Sequence, residues 1–366
     1  MIINFLIIIQ GKMKNKVILH GATNCQSSNY GDFLYGEMFY KYFLNKGDDV
    51  EFYQASDFFI KYLSNDLKNR EISKRDADYI VYIPGGYFGE SSNSKWKEVI
   101  VHFLRFLPLG LWAANHKKKI LVAGIGAGPI NNLFLKSGIK KICDHADVIT
   151  VRDSKSFDVL SKLSPKSNIF NCGDMILTRK LDVIFTEQIN RILNKAEGKK
   201  ILLIHYNHDE LALEKFAICA KRFVKENPDY YIVVSSDSIL EYDMEYYERF
   251  QKKVEIDSSY FKYSNPSEMT ELIKHVDVVL TCKLHVGVVS CTFNKSVIVA
   301  ACHYEKTRRF YEQIFQSERC VDLYKVSDKQ LFALLKKYHK EKIEIPEDVV
   351  KKANESWNIL EKYMGE

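Results

Sequence analysis

Short runs of β-branched and aromatic residues alternate with longer segments whose apolar positions recur at helical spacing, the pattern of βα units around parallel sheets. In the first half the predicted strands are Val17–Leu19, Val50–Tyr53, Tyr79–Ile83, Ile120–Ala123, Val148–Val151 and Ile169–Asn171, and most run into Gly, Asp or Asn. A second series, Ile201–His205, Tyr231–Ser235, Val278–Leu280 and Val297–Ala301, is separated by helical patterns such as Leu211–Val224 and Ser267–His275. Between the two series, the polar stretch Leu181–Lys200 is the best linker. The pattern predicts an α/β chain of two doubly wound, Rossmann-like domains facing a cleft, with residues 13–180 in the first and 181–366, including the C-terminal helices, in the second. No fixed repeat or low-complexity segment interrupts this series.

Composition agrees with two cores. The chain has 366 residues, more than one hydrophobic core usually serves, and 46% of them are apolar. The net charge of +6 is spread along the chain. No basic stripe with interleaved aromatics marks a nucleic-acid binder, whereas a mild positive surplus suits anionic small molecules or at most a peripheral contact with acidic lipid headgroups. The eight cysteines, Cys25, Cys143, Cys172, Cys219, Cys282, Cys291, Cys302 and Cys320, form no C-x-x-C pair, so reduced core thiols in a cytoplasmic protein are expected rather than a disulfide framework or a zinc site. The apolar start, Met1–Ile9, is too short to span a bilayer and lacks the basic lead of a signal peptide. Residues 1–12 read as an upstream start or a peripheral anchor, with the functional fold beginning after Met13.

Candidate chemistry gathers at predicted strand ends. The loop after the first strand carries Gly31 and Asp32 ahead of a helix expected near Phe33; Asp32 is either a ligand-facing acid or the N-cap of that helix. Two glycine turns, Gly85-Gly86 and Gly124–Gly128 with Gly126 at its centre, would let a ligand approach bare backbone or would serve as tight turns. Arg152 ends a strand, where its planar fork suits a carboxylate or phosphate, or else pairs with Asp153 or Asp174. In the stretch Thr281-Cys282-Lys283-Leu284-His285, an extended chain would put Lys283 and His285 on one side, about 6 to 7 Å apart. Tyr304, Lys306 and Arg309 follow the next strand and are expected nearby.

Taken in order, Asn29-Tyr30-Gly31-Asp32, Gly85-Gly86, Gly124–Gly128, Val151-Arg152-Asp153-Ser154, Gly173-Asp174, Lys283-Leu284-His285-Val286-Gly287 and Tyr304-Glu305-Lys306 resemble the polysaccharide pyruvyltransferase family over about residues 16–314. The family usually has Arg-Leu-His where this chain has Lys283-Leu284-His285; Lys keeps the charge but loses bidentate geometry. The resemblance implies a fold similar to the GT-B glycosyltransferases, with the acceptor on the N-terminal side and the donor on the C-terminal side. It implies phosphoenolpyruvate as donor, no cofactor or metal, and as acceptor a sugar diol of a bacterial surface glycan or its lipid-linked precursor, handled in the cytoplasm or at the inner face of the membrane. His285 is then the general acid and Asp32 the base or hydroxyl-orienting group. Asn29, Gly31, Gly85, Gly86, Gly126, Arg152, Lys283, Leu284, Tyr304, Lys306 and Arg309 are expected to hold substrate. A nucleotide-sugar glycosyltransferase and a non-catalytic sugar- or nucleotide-binding protein are the competing readings of the same residues. Acceptor choice would lie in the loops Gln54–Arg75 and Tyr87–Lys95.

Overall fold

The computed structural model describes residues 14–24, 29–63, 72–90, 95–178, 181–206, 209–237 and 243–365. The segment Met1–Lys12, Cys25 to Ser28 and parts of both expected acceptor loops lie outside them.

Two parallel sheets form the framework. The first contains β1 (Lys16–His20), β2 (Asp49–Phe52), β3 (Tyr79–Tyr82), β4 (Lys119–Ile125), β5 (Val148–Val151) and β6 (Ile169–Asn171), in the order β2-β1-β3-β4-β5-β6. The second contains β7 (Lys200–His205), β8 (Tyr230–Ser235), β9 (Ser258–Phe261), β10 (Val278–Thr281), β11 (Ser296–Ala301) and β12 (Cys320–Asp322), in the order β12-β11-β10-β7-β8-β9. Helices cover both faces of each sheet, so the central strands are wet on neither side and read as unbroken apolar runs; β3, β5, β10 and β11 are buried throughout. The expected strands are present within about two residues of their predicted ends. Two strands escaped the pattern, β9 and β12, and both are sheet edges, where strands are short and carry less of the apolar signal.

Strand order fixes where a ligand can enter. The order reverses beside β1 in the first sheet and between β7 and β10 in the second, and at such a switch point the two flanking helices diverge and leave a crevice at the carboxyl ends. One side of the first crevice is the helix Tyr30–Asn45, which follows β1 and also packs on the second half. Tyr30 Oη lies 2.7 Å from Thr270 Oγ1 across that contact, and one buried apolar cluster runs from Val17 in the first sheet to Val299 in the second.

The stretch Leu181–Lys200 contains, as its pattern indicated, a helical segment, Glu187–Ala196, whose Ile189, Ile192 and Ala196 are buried. The last helix, Glu347–Met364, does not stay with the second sheet but returns to the first. Trp357 Nε1 donates to Thr178 Oγ1 (2.8 Å), Tyr42 Oη to Glu361 (2.6 Å) and Tyr79 Oη to the carbonyl of Met364 (3.0 Å). An amphipathic stripe says that a helix must pack but not on which sheet.

Candidate functional site

Each sheet contributes a strand that ends in a cation. After β5 the backbone passes through Arg152 and turns into the helix Ser154–Leu163. Asp153 is the N-cap of that helix, accepting from Ser156 N (2.8 Å) and Ser156 Oγ (2.9 Å). Arg152 is buried beside it at 3.9 Å from Asp153 Oδ2, so an ion pair and a site-facing position coexist. Gly126 makes room for the guanidinium: a Cβ there would fall 2.7 to 2.9 Å from its atoms. Gln313 from the second half donates to the carbonyl of Arg152 (2.9 Å), while Nη1 is buried with no hydrogen-bond partner. A buried unpaired guanidinium nitrogen is costly and marks where a ligand oxygen would be welcome.

After β10 the chain coils sooner than alternation predicts. Lys283 is the N-cap of the helix Leu284–Thr292, and His285 lies in its first turn rather than two residues along a strand. That helix is buried almost all round, and a continuous apolar run does not distinguish strand from helix. The Lys283 ammonium lies 3.3 Å from Asp237 Oδ1, at the end of β8. Burial works against both charges, yet the pair wins: Lys283 is held above its usual pKa and Asp237 below. The Tyr30 N–H also favours the charged form of Asp237, so an acid of the second half stands at the start of the first helix of the other.

His285 is buried against the first half. Its ring meets Tyr35 edge-on at 5.3 Å, and a Cβ on Gly31 would fall 1.8 Å from its Nδ1, so only glycine fits there. Its Nε2 is buried without a partner. Burial first, then Arg152, Lys306 and Lys283, push the imidazole well below its usual pKa, so it is neutral in the free site. Asp32 sits at the third position of the helix Tyr30–Asn45, which begins earlier than expected. It is therefore not the N-cap; that place belongs to Asn29, whose side chain makes no cap bond. Burial raises the Asp32 pKa against the pull of Lys306, Arg152 and Lys283.

Between the halves lies a cavity of about 630 Å³. Gly86, Gly126 and Arg152 line it from the first half, and Tyr304, Lys306 and Arg309 from the second. Burial, with Arg152 adding and Asp32 opposing, lowers Lys306 to about 8. Its Nζ stands where a Cβ on Gly86 would be 2.8 Å away, which brings the two halves into contact over bare backbone. Gly85 lies one layer deeper, its carbonyl accepting from Gly126 N at 2.8 Å. Arg309 is engaged structurally, donating to Ala127 O (3.3 Å) and Asp153 Oδ1 (3.4 Å). Leu284 is buried at the foot of its helix and packs in the shared core. Asp32, Lys283 and His285 do not line the cavity wall itself; they stand behind it, linked to Lys306 and Arg152 by charge.

Three participants lay outside the residues singled out from sequence. Tyr35 donates to Asp174 Oδ1 (2.6 Å) and flanks His285; nothing in an aromatic-rich helix distinguishes it. Asp174 entered only as part of a motif and as an alternative partner of Arg152. Asp237 follows a predicted strand, and that position at a carboxyl end was the available signal.

A family model described as polysaccharide pyruvyl transferase matches residues 29–304. No curated protein matches the chain in sequence. Among solved structures, the S. aureus MnaA-UDP co-structure is similar with a TM-score of 0.66 at 13% identity, over 96% of this chain and 97% of that one. A putative UDP-N-acetylglucosamine 2-epimerase from Listeria monocytogenes is similar with a TM-score of 0.64 at 11% identity, over 96% and 97%. The UDP-GlcNAc 2-epimerase from Neisseria meningitidis follows with 0.60 at 11%, over 97% and 100%. At these identities the likeness is one of fold, the GT-B arrangement of two Rossmann-like domains.

Proposed function

Since the chain belongs to the polysaccharide pyruvyl transferase family, we propose that it moves the enolpyruvyl group of phosphoenolpyruvate onto a sugar diol of a surface glycan or its lipid-linked precursor, closing a pyruvate ketal and releasing phosphate. The observation that carries this reading is the meeting of Arg152, Lys306 and Lys283 from both halves beside the buried, unpartnered Nε2 of His285. Three cations suit a donor with a phosphate and a carboxylate, and the ring suits a proton delivered to carbon.

In this reading the donor's anions settle on Arg152 and Lys306, with Lys283 behind them. Burial still disfavours the charged ring, but the donor's anions offset the cations that add to it and replace them with negative charge, so the imidazole gains proton affinity as the donor binds. His285 then protonates the methylene carbon of the enol phosphate. The oxocarbenium that results at the central carbon is attacked by one sugar hydroxyl, whose proton passes to Asp32. Phosphate departs and the second hydroxyl attacks, its proton passing to the released phosphate, which completes the ketal. Asp32, with its pKa raised by burial, is a stronger base than an exposed aspartate.

Thermal unfolding with added ligand tests the donor. At about a hundredfold excess over its Kd, phosphoenolpyruvate should stabilise the protein by about 2.7 kcal/mol, and phosphate should appear only when a sugar acceptor is added. Stabilisation by uridine diphosphate but not by phosphoenolpyruvate would hand the site to a nucleotide-sugar glycosyltransferase.

A further inference from the structure

The two helices that form one wall of the cavity turn an apolar face to solvent. In the helix Trp96–Phe106, Val99 and Phe106 are buried, and Val99 and His102 face the cavity. One stripe at four-residue spacing, Trp96, Ile100 and Leu104, points the other way, with Trp96 60% and Leu104 62% exposed. The second helix, Leu133–His145, opens with Leu133, 78% exposed, and Phe134, and sends Leu135 to the cavity. The faces are continuous: the Phe103 and Phe134 rings stack at 4.1 Å, and Trp96 lies 6.5 Å from Phe134. Single exposed apolar residues are ordinary, but a contiguous group of large ones is a contact surface.

The rim identifies what is contacted. Lys95, Lys97 and Lys136 are exposed around the patch, alongside the exposed Glu98, and Lys140, one turn beyond Lys136, pairs with Asp144. A second copy of the chain would set these lysines against their own equivalents in a two-fold contact, which is repulsive. An anionic bilayer meets both features at once, with leucines at the acyl boundary, Trp96 at headgroup level and lysines on the phosphates. Among the described residues no helix is long and apolar enough to cross a membrane. We propose that the Trp96–Phe106 and Leu133–His145 helices dock the protein on an anionic lipid surface, with the cavity opening beside the bilayer. The docking stands without any reaction; its use, to bring a lipid-linked acceptor to the cavity, rests on the transferase reading above.

The test is sedimentation of the full chain with vesicles of phosphatidylcholine alone or mixed equally with phosphatidylglycerol, with no donor present. Binding to the anionic vesicles is expected, weakened by high salt and reduced about tenfold or more by Leu104→Glu with Leu133→Glu, two exposed positions that a charge can occupy without touching a core. Transfer to a short water-soluble acceptor should be unchanged in that variant. Three results would overturn the proposal: no binding to anionic vesicles, binding that the double variant retains, which would assign it to another segment such as Met1–Ile9, or a wild-type dimer in solution that the variant dissolves while vesicles bind neither. Because no donor enters the sedimentation, failure of the transferase reading leaves its result intact.

Discussion

The corner at Arg152 and the corner at Lys283 have the same plan, strand, cation, helix, and opposite electrostatics. At the first, Asp153 is occupied in capping the helix, Gln313 fixes the backbone, and the guanidinium keeps an unpartnered nitrogen. At the second, no side chain caps the helix, the cation already lies 3.3 Å from Asp237, and the first turn carries a histidine into the other half. A cation whose counter-ion is busy elsewhere is available to a ligand; one with a buried partner is a scaffold. In the proposed reading the first corner is thus the anion holder and the second supplies the proton carrier. That division would put a principal donor contact in the N-terminal half, where the sequence placed the acceptor.

The sharpest way to test this division is to remove the proton carrier alone. His285→Gln keeps hydrogen bonding without a transferable proton at neutral pH, so single-turnover rates should fall by roughly 10²- to 10⁴-fold with donor affinity nearly constant. Near-normal turnover would make His285 a packing residue against Gly31. Next in size, Arg152→Lys removes the fork but not the charge, and donor titrations should show affinity lower by roughly 30- to 100-fold. Lys283→Ala should cost donor affinity only about tenfold, because Asp237, 3.3 Å away, already offsets that charge. Equal losses for Arg152 and Lys283 would break the comparison.

The remaining effect is one of pH. Lys306, pushed down to about 8 by burial and by Arg152, gains a proton when an anion binds beside it. The sign follows: affinity for the donor is full below pH 8 and falls as pH rises through it, by about tenfold per unit while the bound form stays protonated. Calorimetric titrations between pH 7 and about 9.5 should show that slope in the wild type and lose it in Lys306→Gln. A flat profile would remove Lys306 from the donor contacts.

Much of the fold was legible because a parallel sheet clad on both faces writes itself as apolar runs: β3, β5, β10 and β11 each fell where predicted. The edges β9 and β12 did not, being short and polar enough to read as loop. Within the site, Arg152, Lys283 and His285 were found because cations after apolar strands are unusual, and Lys306 and Tyr304 because the next strand had to deliver them nearby. The conformation at His285 was not legible, since Leu284–Thr292 is buried on every side and its period carries no information. Tyr35 and Asp237 matter through contacts between elements 139 and 46 residues apart respectively, Tyr35 with Asp174 and Asp237 with Lys283, and no local pattern encodes such pairings.

The return of the helix Glu347–Met364 to the first sheet joins the two halves by covalent chain twice, once before β7 and once after residue 338. A single tether lets two bodies swivel and slide in any direction. Two tethers define a line, and rotation about that line is the large motion that stretches neither, so a hinge opening of the cleft would have a fixed axis. The same threading makes the first half wait for distant chain, since Tyr79 donates to the carbonyl of Met364, 285 residues downstream.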